Sequence, residues 1–189
     1  MADEARKTIL IVDDEELVAE SYEHYLSDEY DTRIATSGGE ALAEIDPRDG
    51  TVDLVLLDRR MPGMSGDVVA EHIADYELDY QVIMVSAVDP DVDVVNLPCD
   101  GYLTKPVSED DVVGAVEKAL LVDDYHALIQ EYNAATEKYE LLSDEFSSSE
   151  VPKALQSLEA RKEELEAEIA EAADRLADSK LRGAFSPTA

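Results

Sequence analysis

Val52-Asp53-Leu54-Val55-Leu56-Leu57-Asp58-Arg59-Arg60-Met61-Pro62-Gly63-Met64-Ser65-Gly66 is the stretch on which this chain turns. A short run of aliphatic residues closed by Pro and Gly reads as a buried strand of a parallel sheet. A carboxylate where such a strand ends is not core. Asp58 instead projects into the crevice outside the carboxyl ends of the strands, where open α/β sheets bind ligands. Two other strand ends carry matching residues: Asp13-Asp14 after Thr8-Ile9-Leu10-Ile11-Val12, and Lys105-Pro106 after Gly101-Tyr102-Leu103-Thr104. Several carboxylates and one ammonium thus converge on one edge. Taken alone, Asp13-Asp14 reads as a carboxylate cap complementing the dipole of the helix that follows. With Asp58 and Lys105 also present, the group reads as a metal site.

Outward from that strand, the pattern alternates. Strands are expected over residues 7–12, 30–35, 52–57, 81–85 and 101–104. Between them lie helical spacings: Leu17, Val18, Tyr22, Tyr25 and Leu26 in the first helix, a short one from Ser37 to Ile45, and a third over Gly66–Asp75. Residues 89–98, rich in Val and Asp and stopped by Pro98, are expected to form at most two turns of marginal helix and to move on activation. Ser108-Glu109-Asp110-Asp111 fits a capping box with Asp in place of Glu, opening a helix that buries some of Val112, Val113, Val116, Ala119 and Leu120. Strand–helix alternation with short loops predicts an α/β fold, a flavodoxin-like (βα)5 doubly wound parallel sheet of order 2-1-3-4-5.

These residues resemble the receiver domain of two-component response regulators over roughly residues 7–121. The resemblance rests on Asp13-Asp14, on Asp58 with its Met-Pro-Gly-Met-Ser-Gly, on Ser86 after the fourth strand, and on Tyr102 three residues before Lys105-Pro106. It implies that Asp58 is the phosphoacceptor. It also implies that Asp13 and Asp14 form the acidic pair for Mg2+, one ligating directly and the other directly or through water, with the backbone carbonyl of Arg60 as a further ligand. Lys105 would pair with phosphoryl oxygens, Pro106 would follow a cis peptide bond, and Ser86 and Tyr102 would form the switch. Ser86 would move toward the phosphoryl group and Tyr102 would turn inward. The change would repack the face made by the 89–98 segment, the fifth strand and the helix after it. The chemistry agrees: aspartyl phosphate is a known covalent form, and Mg2+ takes oxygen ligands, commonly one or two carboxylates with water and phosphate. The Arg60 side chain, a long cation beside this site, is expected to shield it from water or to guide a partner.

Composition narrows the possibilities. The chain carries 46 acidic and 15 basic residues, a formal net charge of −31. Residues 1–121 hold 30 acids and 8 bases, leaving 16 and 7 for residues 122–189, so the excess is spread along the chain. With 45% hydrophobic residues the chain is not a disordered polyanion; the surface suits a halophilic protein working where salt screens repulsion. No basic face is visible for phosphate neutralisation, which opposes direct nucleic-acid binding. The single cysteine, Cys99, excludes an internal disulfide and a Cys-based zinc cage. His24, His72 and His126 lie on separate helices without metal-ligand spacing. No apolar run is long enough to span a membrane and Met1-Ala2-Asp3-Glu4 is no signal peptide, so a cytoplasmic location is expected.

The C-terminal third changes period. Tyr125, Tyr132, Tyr139 and Phe146 recur every seven residues, with Leu128, Ala135 and Leu142 between them. After a break at Ser147–Pro152, Leu155, Leu158, Leu165, Ile169, Ala172 and Leu176 form a second stripe. Two such helices with a short connection make an αα-hairpin, here a coiled-coil pair. A first helix continuous from 109 to 146 would span about 57 Å. Neither seam can be fully covered within two helices, so a homodimer or partner helices are expected. The segment resembles the HalX domain that follows receivers in haloarchaeal regulators. The expected domains are a receiver over 7–121 and a HalX-like hairpin over 122–182, with flexible termini at 1–6 and 183–189.

The resulting expectation is a response regulator phosphorylated by a sensor histidine kinase, and not an enzyme with an outside substrate. A metal-dependent aspartyl-phosphate phosphatase would need a second acid near the nucleophile, where Arg59-Arg60 stand instead. A DNA-linked transcription regulator would have to act through a partner, since no basic recognition helix follows residue 121. A scaffold with a degenerate receiver is opposed by the full set of acidic, hydroxyl and lysine positions.

Overall fold

The apolar runs pair side by side into one all-parallel sheet, because each is flanked by helices that cover both of its faces. The computed structural model describes residues 6–45, 52–75, 80–87, 97–145 and 153–183. In chain order the elements are β1 (Thr8–Val12), α1 (Glu16–Leu26), β2 (Asp31–Ala35), α2 (Gly38–Glu44), β3 (Leu54–Asp58), α3 (Gly66–Asp75), β4 (Gln81–Ser86), β5 (Gly101–Thr104), α4 (Glu109–Glu145) and α5 (Lys153–Gly183). The strand order is β2-β1-β3-β4-β5 with every pair parallel. This is the doubly wound order expected. The marginal helix expected over 89–98 falls on residues of which only 97 and 98 are described, and Phe146 also lies outside them.

Alternation along the strands sorts the core into two layers. Leu10, Val12, Val55, Leu57, Val82 and Met84 face Ala41 and Ile45 of the α2 region and Val69, Ala70 and Ile73 of α3. Ile9, Ile11, Leu54, Leu56, Ile83 and Val85 face Ala19, Tyr22 and Leu26 of α1 and Val112, Val116, Ala119 and Leu120 of α4. Each fully buried aliphatic side chain contributes roughly 1.5–3 kcal/mol relative to exposure. Leu17 does not join this core and is 78% exposed. The buried face of α1 centres on Tyr22, and at 100° per residue Leu17 lies about 140° round the helix from it.

Two aspartates tie down the amino-terminal edge of the sheet. Asp53 Oδ2 accepts the Thr8 N–H at 2.8 Å and Asp100 Oδ2 accepts the Val82 N–H at 2.8 Å. Strand-starting amides are satisfied in this way without a further strand. At the start of α4, Asp111 Oδ2 accepts from the Ser108 N–H and hydroxyl at 2.9 and 2.6 Å, while Ser108 Oγ accepts the Asp111 N–H at 3.3 Å. Asp substitutes for Glu in the box because the side-chain reach still closes on the same amide.

The chain divides into two compact units, Met1–Leu120 and Leu121–Ala189, and α4 is one helix of 37 residues that contributes to both. In the second unit Ala135, Leu155, Leu165 and Ala172 are buried. Tyr125, Leu128, Tyr132, Tyr139 and Leu142 of the heptad seam stay half-buried, as expected when two helices have only each other to pack on. Polar contacts flank the seam: Tyr132 donates to Glu166 at 2.7 Å, Arg161 pairs with Glu131 at 2.9 Å, and the Lys162 ammonium lies 5.5 and 5.3 Å from the Tyr132 and Tyr139 ring centres.

Candidate functional site

Asp58 is the last residue of β3, opposite Val85 of β4, and its side chain is almost fully enclosed. Its Oδ1 accepts from Lys105 Nζ at 2.7 Å, and its Oδ2 accepts the Arg60 N–H at 2.8 Å. Lys105 Nζ also donates to Asp13 Oδ2 at 2.8 Å. The lysine is positioned by its own backbone, whose N–H donates to the Ser86 carbonyl at 2.7 Å, and the Lys105–Pro106 peptide is cis. Ser86, the last residue of β4, is fully buried and pairs with Thr104. Asp13, Asp58, Ser86 and Lys105 are therefore brought to one edge by strand register alone.

The two adjacent acids after β1 separate in role. Asp13 is 1% exposed, and its Oδ1 also accepts the Glu15 N–H at 3.0 Å. Asp14 is exposed and lines a cleft of about 470 Å³ with Arg59, Arg60, Met61, Pro62, Ser65 and Asp67. Among the described residues no three Asp, Glu, His or Cys side chains gather as a metal cage. The donors nevertheless suit Mg2+, which uses few protein carboxylates and keeps several waters: Asp14 and Asp58 offer carboxylate oxygens and Arg60 a backbone carbonyl. Asp13, already bonded to Lys105 and to the Glu15 amide, stands behind them.

Electrostatics point the same way. Burial pushes the Asp58 carboxyl above its ordinary range, against the opposing pull of Lys105, and Asp13 adds to the rise. Burial would draw Lys105 down, but hydrogen bonds to Asp13 and Asp58 overcome it and hold the ammonium above its usual value. Two buried carboxylates sharing one fixed cation, with Asp14 on the cleft beside them, leave the edge short of positive charge, which suits a divalent ion. Tyr22 of α1 feels the same charges from beneath: burial chiefly, opposed by Lys105 and reinforced by Asp13 and Asp58, raises its hydroxyl to about 12.

The loop after Asp58 is bolted at both ends. The Arg59 N–H donates to the Val85 carbonyl at 2.9 Å and its carbonyl accepts from the Gly66 N–H at 3.0 Å. Gly63 takes a φ of 80°, a left-handed turn that favours glycine. At Gly66 a Cβ would overlap the Asp58 carbonyl oxygen, so α3 can start against the strand end only with glycine there.

The remaining sites are distributed as follows. The Arg60 residue is exposed, while its N–H holds Asp58. Tyr102 is half-buried, its ring against the layer shared with α2 and α3. Beside the site, Arg59 Nε donates to both oxygens of Asp67 at 3.0 and 3.3 Å. Sequence reasoning missed the Arg59–Asp67 pair, which ties the strand end to the first turn of α3. The available signal was a cation directly after the acid, with Asp67 in the first turn of the next helix. Cys99 is half-buried and the three histidines are on helix surfaces.

Comparison with known proteins locates this geometry. The response regulator receiver domain family matches residues 9–117, and the HalX domain family matches residues 121–185. A Haloferax volcanii protein named as a transcriptional regulator is 41% identical over 179 residues, covering 94% of this chain and 30% of that protein. The sensory transduction protein RegX3 of Mycobacterium bovis is 38% identical over 117 residues, covering 60% of this chain and 50% of its own length. This chain thus spans half or less of the length of these two relatives. Among solved structures, the response regulator TrrA of Thermotoga maritima in complex with Mg2+-BeF is similar at 34% identity and a TM-score of 0.53, over 60% of this chain and 98% of that one. No helix of the described residues is long and apolar enough to cross a membrane.

Proposed function

Because the chain belongs to the response regulator receiver family and carries a HalX domain behind its receiver, we propose that a sensor histidine kinase transfers a phosphoryl group to Asp58. A carboxylate oxygen of Asp58 attacks phosphorus, the phosphorus–nitrogen bond of the kinase phosphohistidine breaks, and an acyl phosphate forms. Bound Mg2+, held by Asp14, Asp58 and the Arg60 carbonyl, would neutralise charge on the transferring oxygens. Lys105, already within hydrogen-bond distance of Asp58, is placed to donate to the phosphoryl group once Asp58 is phosphorylated. Asp13 keeps that ammonium charged and aimed. The observation that carries this reading is Lys105 bridging two buried carboxylates at 2.8 and 2.7 Å.

Signal output rests on two hydroxyls. Ser86 is a buried donor at the strand end beside Asp58, and the new phosphoryl oxygens offer it acceptors. Tyr102, on β5, turns inward as Ser86 moves, biasing a two-state equilibrium of the face formed by the 89–98 segment, β5 and the start of α4. The receiver over 7–121 then acts through the hairpin over 122–182, which dimerises or takes up partner helices along its half-buried seam. A second reading, control of transcription through a partner protein, is favoured by the name of the Haloferax relative. The Arg60 side chain is assigned to shielding the site or guiding the kinase.

The test is intact mass after incubation with a small phosphodonor and Mg2+ in concentrated KCl. One phosphoryl adduct that needs Mg2+ and is absent in Asp58→Asn supports the reading. An unmodified, folded wild type, both with small donors and with a panel of sensor kinases, would overturn it. Sedimentation of the two forms then tests the hairpin's part.

A further inference from the structure

The loop 59–65 between β3 and α3 carries two polar groups that the site uses. The Arg60 N–H donates to Asp58 Oδ2 at 2.8 Å, and the Arg60 carbonyl is assigned to the divalent ion. The backbone closes this loop at its base: the Arg59 carbonyl accepts the Gly66 N–H at 3.0 Å, and the Arg59 N–H donates to the Val85 carbonyl at 2.9 Å. A second tie runs alongside. Arg59 Nε donates to both Asp67 oxygens at 3.0 and 3.3 Å, joining the start of the loop to the first turn of α3. Exposed ion pairs contribute little, because water and salt screen them. This one is sheltered, with the Arg59 side chain 13% and the Asp67 side chain 31% exposed. Beyond the two ties, Gly63 makes its left-handed turn, and Arg60, Met61, Pro62 and Ser65 line the cleft with Asp14.

We infer that Arg59 and Asp67 are positioning residues: their ion pair holds the base of the loop, so that the Arg60 peptide keeps its N–H on Asp58 and its carbonyl available to a divalent ion. The inference rests on the reading of Asp14, Asp58 and the Arg60 carbonyl as ligands proposed above. Two effects of opposite sign meet at Arg59. Through space, a cation beside a divalent ion opposes its binding, so removing the arginine would strengthen binding. Through the loop, removing it loosens the Arg60 peptide and weakens binding. The second effect is the larger, because concentrated salt screens the field, whereas partners that orient metal ligands typically carry about 10–100-fold in affinity.

The experiment uses the full chain in concentrated KCl and reads two quantities: amide hydrogen exchange of the metal-free protein, and Mg2+ affinity by calorimetry. Arg59→Gln and Asp67→Asn should each speed exchange of the Arg60 amide by about tenfold, with the central strands unchanged, and weaken Mg2+ binding by about tenfold. Arg59→Lys, which keeps a donor for Asp67 but lacks the planar fork, should fall between them and wild type. Arg33→Gln breaks the 3.4 Å pair with Glu44 elsewhere in the same unit and should change neither quantity. A folded Arg59→Gln protein whose Arg60 amide exchanges at the wild-type rate, or whose Mg2+ affinity is unchanged or raised, overturns the inference. Equal losses in Arg33→Gln overturn it as well. The exchange measurement needs no metal. If the wild type takes up no Mg2+, the reading of the metal site falls, and exchange at Arg60 alone decides whether the pair holds the loop.

Discussion

Asp53 and Asp58 bracket the same apolar strand, five positions apart, and meet opposite fates. At the amino-terminal edge Asp53 receives the Thr8 amide at 2.8 Å and lies 3.3 Å from the Lys7 ammonium; Asp100 does the same work for Val82. At the carboxyl edge Asp58 is enclosed and crowded by Asp13, with Lys105 shared between them. One edge spends its aspartates on satisfying backbone donors, the other gathers like charges that water would keep apart. The difference teaches that residue type decides little here. A half-exposed carboxylate that satisfies a backbone donor stabilises the fold, whereas a carboxylate buried beside a second one is held ready for chemistry and costs stability even with donors of its own.

That contrast is easiest to break at Asp58. Asp58→Asn is expected to abolish the phosphoryl adduct completely by intact-mass analysis, while the metal-free variant melts higher than wild type at neutral pH. The sign follows from the raised pKa of Asp58. A raised folded-state pKa contributes stability that is present below the unfolded value and lost as pH rises through the folded one, so the ionised carboxylate is unfavourable near neutrality. A lower melting temperature for Asp58→Asn would contradict this picture.

Gly66→Ala should come next. The added methyl meets the Asp58 carbonyl, and overpacking of this kind costs about 1–3 kcal/mol. The adduct should form at least tenfold more slowly than in wild type, measured at a temperature where both are folded. Asp53→Ala sharpens the comparison from the other edge. It strands the Thr8 amide at a cost of about 1–2 kcal/mol, visible in denaturant titration, while the rate of adduct formation stays within twofold of wild type. If Asp53→Ala slowed phosphorylation strongly, the two edges would not be independent.

The smallest effect concerns pH. Because Asp58 holds its proton more tightly than an ordinary carboxyl, protons compete with Mg2+ from a higher pH than usual. Mg2+ affinity, followed by calorimetry, is expected to decline on acidification before an ordinary carboxylate would begin to titrate. Lys105→Met should move the onset of that decline upward, since the cation opposing the rise is removed.

The strands and helices were legible because alternation, strand length and Pro/Gly punctuation are local properties of the sequence, and their order followed from the flavodoxin-like pattern. Asp13, Asp58, Ser86 and Lys105 were legible as strand-end residues once the order was assigned, and Ser108 with Asp111 was readable as a cap because its partners are three residues apart. Leu17 was not: its spacing fits an apolar stripe, but the buried face is set by what α1 packs on. Arg59 was not legible either. Its partner Asp67 is brought to it by the close approach of α3 at Gly66, which a run of residues does not display.

By itself, then, the sequence determined the period of each element, the carboxylates and lysine at one edge, and the heptad stripes of the last two helices, since all of these follow from neighbours along the chain. Only the tertiary structure decided which of two consecutive acids is buried against Lys105 and which lines the cleft. Those choices rest on contacts such as Lys105–Asp13 and Lys105–Asp58, between residues 92 and 47 positions apart, and parallel register is what carries such distant groups to within a hydrogen bond.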